Sequence, residues 1–247
     1  MKRAFLDLLG FLTVLPAGMP ERLEDVAGRM YLFPVVGGLL GLLAGFSTRL
    51  FTLFLPTTIS SALGFFVLLS LTGFHHLDGL LDFGDALLFR GPMDRRIEVL
   101  HDTTTGVGGF AIGGFVTGIG VLAAYEFTSA AGNPVILFAA AETMAKTALV
   151  MAAGLGDPAF EGMGSVFTGV LKKSRWQPLA AAIIAGLLTA PAFGLKALIL
   201  LATSFFSALF FVLASKRLIG GVSGDVFGAL NETTRTLSML VMLWMLS

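Results

Sequence analysis

The chain has 247 residues, of which 55% are hydrophobic and only 13% charged, and its mean hydropathy is +0.88. It is too apolar for an ordinary soluble domain and belongs in lipid. Its 16 basic residues balance 16 acidic ones and cysteine is absent, which excludes a global basic field for nucleic acid, a disulfide framework, a thiolate nucleophile and any Cys-held metal.

The first residues, MKRAFLDLLGFLTVLPAG, join a basic start to an apolar run. That run is too short to span and Asp7 within it argues against a signal peptide, so an interfacial helix ending near Pro16 is expected. Seven stretches then approach the ~20 apolar residues of a spanning helix: 30–50, 55–74, 106–128, 134–153, 177–194, 196–214 and 228–247. No linker or repeat separates them. The reading is all-α: a polytopic integral membrane helical bundle of about seven transmembrane helices, one domain over 1–247.

Basic residues collect in alternate connections: Lys2, Arg3, Arg22 and Arg29, then Arg90, Arg95 and Arg96, then Lys172, Lys173 and Arg175, and last Lys216, Arg217 and Arg235. Lys and Arg accumulate in short loops on the cytoplasmic side, which puts the N-terminus in the cytoplasm and the C-terminus outside the cell. Asp78, Asp82, Asp85, Asp94, Glu98, Asp102, Asp157, Glu161, Asp225 and Glu232 fall on or beside the same face. A transporter, the reading from another class, would more often hold ionisable groups at midplane depth.

The stretch GFHHLDGLLDFGDALL (73–88) spaces His75, Asp78, Asp82 and Asp85 by three, four and three residues, which stacks them on one helical face. Three carboxylates on a stripe repel one another unless a cation neutralises them, and hard oxygen ligands favour Mg²⁺ or Mn²⁺. Mg²⁺ commonly bridges one or two carboxylates to substrate phosphates, so Asp78, Asp82 and Asp85 are candidate metal ligands for phosphoryl chemistry. The plainer alternative is a solvated helix end whose acids pair with Arg90, Arg95 and Arg96. His76 is a candidate to orient or donate rather than to ligate.

DRRIEVLHDTTTGVGG (94–109) follows, with Arg95, Arg96, Glu98, His101 and Asp102 ahead of a Thr- and Gly-rich turn. Guanidinium groups and the backbone amides around Gly106 could cradle a pyrophosphate; ordinary membrane-anchoring arginines give the same pattern. Farther along, Glu142 and Lys146 lie four residues apart inside the fourth span, where they can pair with each other. The last loop, GGVSGDVFGALNETTR (220–235), exposes backbone through its glycines and offers Gly221, Asp225 and Asn231 to a nucleotide or a metal. A glycine-rich turn capped by Asp225 is its plainer reading.

With these motifs in order, nearly the whole chain resembles the cobalamin synthase family, the adenosylcobinamide-GDP ribazoletransferases. The resemblance rests on FPVVGGLLG (33–41), GFHHLDGLLDFGDAL (73–87), RRIEVLHDTTTGVGGF (95–110) and GGVSGDVFGA (220–229). Phe74 and His75 stand where a small or apolar pair is more common, and Ser223 where Thr is usual. The resemblance implies a membrane-embedded, Mg²⁺-dependent transferase that joins adenosylcobinamide-GDP to α-ribazole or its 5′-phosphate and releases GMP. It implies Asp78, Asp82 and Asp85 as metal ligands, Arg95, Arg96 and Asp102 as phosphate or substrate contacts, and Asp225 with its glycine loop as a nucleotide or second-metal contact. Its expected partners are those small molecules and the lipid bilayer; the sequence is compatible with a homo-oligomer. A CDP-alcohol phosphotransferase, another membrane enzyme with helix-borne aspartates, needs an Ala-Arg pair after Asp-Gly, and here Leu80, Leu81 and Asp82 follow Asp78-Gly79.

Overall fold

The computed structural model describes residues 2–18, 20–130 and 132–246. Met1, Met19, Ala131 and Ser247 lie outside it, Ser247 being the end of the last expected span, and so do the side chains of Lys2 and Arg3. The described chain is helical: α1 (Lys2–Leu12), α2 (Leu23–Ala27), α3 (Phe33–Phe51) after a 3₁₀ turn at Met30–Leu32, α4 (Thr57–Leu71), α5 (His75–Leu88) and α6 (Met93–Leu100). It continues with α7 (Val107–Ser129), α8 (Pro134–Leu155), α9 (Met163–Lys173), α10 (Gln177–Phe193), α11 (Ala197–Ile219) and α12 (Gly224–Trp244). Among the described residues the only extended pairing is an isolated bridge between Pro158 and Val222.

The centre is α8. Every residue from 140 to 150 is buried, because α3, α10, α11 and α12 all pack around it. The closest of these neighbours is α3, and glycine is the reason. A Cβ at Gly37, Gly41 or Gly45 would fall 2.5, 2.2 or 2.4 Å from the backbone of α8. Those three positions are four residues apart, so one stripe of α3 carries no side chain and the two backbones meet, as small residues permit between helices in lipid.

Four described stretches are long and apolar enough to cross a bilayer: Met30–Phe51, Val107–Ser129, Pro134–Leu155 and Gln177–Ile219; a fifth counts only if α4 and α5 are taken together. The 43-residue stretch contains two of the expected spans. Gly194 (φ 55°) breaks it, and a Cβ at Gly186 would touch Leu201 at 3.5 Å, so α10 and α11 lie side by side as a hairpin.

Two of the seven expected spans differ from that simple picture. The stretch 55–74 gives only the 15 residues of α4, after which the chain turns by 92° into α5. Gly73 (φ 62°) and Phe74 (φ 60°) make the turn, Phe74 in a left-handed conformation that is uncommon for a residue with a side chain. Hence α5 lies across the bundle, outside the spanning stretches. The last stretch starts earlier than expected, at Gly224, and is not among the helices apolar enough to span. It carries Asp225, Glu232 and Arg235, and it buries the last two against α8.

Candidate active site

Two glycines bring the acids together. A Cβ on Gly79 of α5 would lie 2.9 Å from the Cα of Asp225, and one on Gly228 of α12 would lie 2.8 Å from the carbonyl oxygen of His76. The helices therefore cross backbone to backbone, and Asp225 enters the neighbourhood of Asp78 and Asp82. Ser223 fixes its direction: the hydroxyl donates to Asp225 Oδ2 (3.1 Å) and accepts from the Val226 amide at the start of α12. Burial raises the proton affinity of Asp225 above the ordinary carboxylate range.

Asp82 feels this crowding most. Its pKa is pushed up to about 7, first by partial burial and then by the charges of Asp78, Asp225 and Asp85. His76 goes the other way, well below the usual imidazole value, through burial and then the positive charges of Lys146 and Arg235. Its ring is therefore neutral near pH 7, and Nδ1 is buried with no hydrogen-bond partner among the described residues.

Asp85, unlike Asp78 and Asp82, has a backbone partner for each of its oxygens. Its Oδ2 accepts from the Gly106 amide (2.7 Å) and its Oδ1 from the Gly109 amide (2.8 Å), so the carboxylate caps α7 from within the protein. The same bonds correct the reading of Gly106: an amide offered to a pyrophosphate already holds an internal anion. A helix N-terminus attracts negative charge of either kind.

The arginine segment is also partly spoken for. Arg96 donates to the carbonyls of Ala86 (2.8 Å), Leu87 and Gly91, closing the C-terminal end of α5. Arg95 is exposed and pairs with Glu98 three residues on, so that pair rather than an arginine–aspartate pair forms here. Asp102 accepts from the amide (2.9 Å) and hydroxyl (2.7 Å) of Thr104, bonds that hold its carboxyl below the ordinary range in an exposed turn. His101 packs edge-on against Phe160, with ring centres 4.9 Å apart.

Two further expected contacts lie inside the protein. Gly221 is buried, and a Cβ there would be 2.4 Å from the carbonyl oxygen of Asp157; the loops join through Val222 N to Asp157 O (2.8 Å) and Ala159 N to Val222 O (3.0 Å). Asn231 is fully buried and accepts from Lys146 Nζ (2.7 Å). Both positions therefore face protein. Glu232 and Arg235, placed by sequence near the cytoplasmic face, are buried too. Arg235 binds Glu142 and Glu232, Lys146 pairs with Glu142 at 3.3 Å, and Asn231 donates to Glu232 at 3.2 Å. The predicted Glu142–Lys146 pair is thus half of a four-charge cluster. Its signal was in the sequence: acid and base one turn apart on 142–146 and again on 232–235.

Among the described residues no group of three or more His, Asp or Glu side chains is arranged to hold a metal ion. Mg²⁺ needs fewer from the protein: one or two carboxylates, with substrate phosphates and water completing its shell. The raised proton affinity at Asp82 marks a place where carboxylates outnumber the cations that could balance them, and Asp78, Asp82 and Asp225 suit a hard divalent ion by donor chemistry. Beside Asp225 a cavity of about 930 Å³ opens between the end of α1 and the residues that follow it, the start of α3, the first turn of α5, α9 and the first turn of α12.

The family model described as cobalamin-5-phosphate synthase matches residues 4–243. The adenosylcobinamide-GDP ribazoletransferase of Methanocella arvoryzae is 36% identical, over 96% of this chain and 95% of its own length. The proteins of the same name from Halorubrum lacusprofundi and Methanococcoides burtonii are 38% and 31% identical, covering 94% of this chain and 93% and 89% of their own. No solved structure matches the chain significantly.

Proposed function

The chain belongs to the cobalamin-5-phosphate synthase family, and from that membership we propose that it joins adenosylcobinamide-GDP to α-ribazole, or to α-ribazole 5′-phosphate, with release of GMP. The observation that carries this reading is the meeting of Asp78 and Asp82 with Asp225 across the Gly79–Gly228 contact. A ribose hydroxyl oxygen attacks the corrinoid-side phosphorus of the pyrophosphate. A new P–O bond forms, the bond to the GMP oxygen breaks, and the hydroxyl proton is released. The pKa of about 7 at Asp82 belongs to the metal-free protein; with the ion bound its carboxyl would be ionised and the hydroxyl proton would pass to water. Asp78, Asp82 and Asp225 would hold Mg²⁺, which supplies positive charge against the phosphate oxygens. Arg95 is the exposed cation of its segment and can exchange Glu98 for a phosphate.

The active face looks into the cytoplasm of a cell-membrane protein on this reading, since both substrates are water-soluble and the basic loops favour that side. A transporter gains no support from the midplane charges, because Glu142, Lys146, Glu232 and Arg235 neutralise one another. The test is purified protein in liposomes given adenosylcobinamide-GDP, α-ribazole and Mg²⁺. GMP release is expected; none, beside an active control enzyme, refutes the proposal.

A further inference from the structure

The cavity beside Asp225 has walls of two kinds. One is aromatic and continuous: Phe11 stacks on Phe33 (6.5 Å, 26°), Phe167 meets both edge-on (5.6 and 6.4 Å), and Phe227 tilts against Phe167 at 6.0 Å. The other is polar and short: Asp225 at the start of α12, with His75 and His76 at the start of α5. At about 930 Å³ the space lies within the ~300–1,000 Å³ of sites that enclose drug-sized ligands, and its mix of apolar lining with a few convergent polar groups is that of such sites. Phe11 belongs to the last turn of α1, which lines the cavity together with the residues that follow it.

We infer that this cavity is the nucleoside subsite, taking a flat, apolar benzimidazole base against the four phenylalanines with its ribose turned towards Asp225. The inference rests on the reaction proposed above and places one of its two substrates. The ligand is apolar at one end and hydroxylated at the other, in the same order as the walls, and its sugar reaches the carboxylates that serve the transfer. The corrinoid is a poor occupant: it is a macrocycle fringed with amides, and with its nucleotide it exceeds a drug-sized space. It is left the exposed side of α5, where Asp78 faces solvent and Arg95 lies beyond the far end.

The absence of cysteine allows a direct test. Met163 lines the cavity and is 39% exposed, so M163C in the otherwise unchanged protein gives a single thiol whose maleimide labelling can be timed in detergent. Saturating α-ribazole is expected to slow it about tenfold, equivalent to about 1.4 kcal/mol of occupancy, while adenosylcobinamide-GDP leaves it unchanged. L195C, at the exposed α10–α11 turn, should label at one rate throughout. Phe11→Leu should raise KM for α-ribazole and leave KM for adenosylcobinamide-GDP as it was. Unaltered labelling with α-ribazole, in protein that releases GMP, overturns the inference, and so does protection by added phospholipid in place of the nucleoside. Protection by α-ribazole in protein that releases no GMP leaves the subsite standing and refutes the reaction instead.

Discussion

Held among Asp78, Asp225 and Asp85, the carboxyl of Asp82 keeps its proton to about pH 7 instead of 3.8. An acid whose folded pKa is raised costs the fold nothing below its unfolded pKa, and the cost grows as pH rises towards the folded value. Metal-free protein should therefore lose stability between about pH 4 and 7 through this group, and a cation should restore it by binding the ionised form. The thermal shift produced by Mg²⁺ is expected to be larger at pH 8 than at pH 5.5, and Asp82→Asn should abolish that difference and lower kcat at least about 100-fold. An Mg²⁺ shift that ignores pH would remove Asp82 from the ligand set. The neighbouring Asp85 looks identical in sequence, and its spacing from Asp82 is as good as that of Asp78. What separates them is the partner: the Gly106 and Gly109 amides occupy both Asp85 oxygens. No helical wheel of 75–88 contains that information, because the amides come from another helix.

At the scale of elements, the site depends on residues that have no functional groups. Gly79 and Gly228 let α5 and α12 touch, and a methyl at either would press on Asp225 or on the His76 carbonyl. Gly228→Ala should cost about 1–3 kcal/mol through overpacking and lower kcat by displacing Asp225, whereas Gly114→Ala in α7, where a Cβ meets nothing within 4 Å, should leave both stability and rate near wild type. Denaturation in detergent and GMP release measure the pair; equal effects would mean that the α5–α12 contact does not position the acids. The glycines of 220–229 read in sequence as exposed backbone for a ligand, and Gly79 only as part of the aspartate motif. In the folded chain Gly79, Gly221 and Gly228 serve backbone-to-backbone contacts, a use that becomes visible only when the partner helix or loop is in place.

For the whole molecule, hydropathy was enough to establish a helical membrane bundle. It could not reveal the 92° turn after α4, since hydropathy gives where an apolar stretch ends and not the direction in which the next helix leaves it. Nor could it separate Arg235 from the loop arginines, because a basic residue near a helix start looks like an anchor until Glu142 is seen opposite it. Removing one member of that buried cluster strands its partner: Arg235→Met should cost about 3–5 kcal/mol, and the double change with Glu142→Met distinctly less than the sum of the two. Additive losses in unfolding experiments would mean that the two charges do not stabilise each other.

The cluster also bears on how the chain enters the membrane. An acid or a base at the centre of a lone inserting helix costs about 2.5–3.5 kcal/mol each, and α12 has both Glu232 and Arg235 in its middle. Glu142 and Lys146 are synthesised almost ninety residues earlier, on a helix apolar enough to enter lipid by itself. If the helices enter the membrane in chain order, α12, which brings Asp225 and so completes the site, meets counter-charges on α8 that are already in place, and these offset the cost of Glu232 and Arg235 on entry.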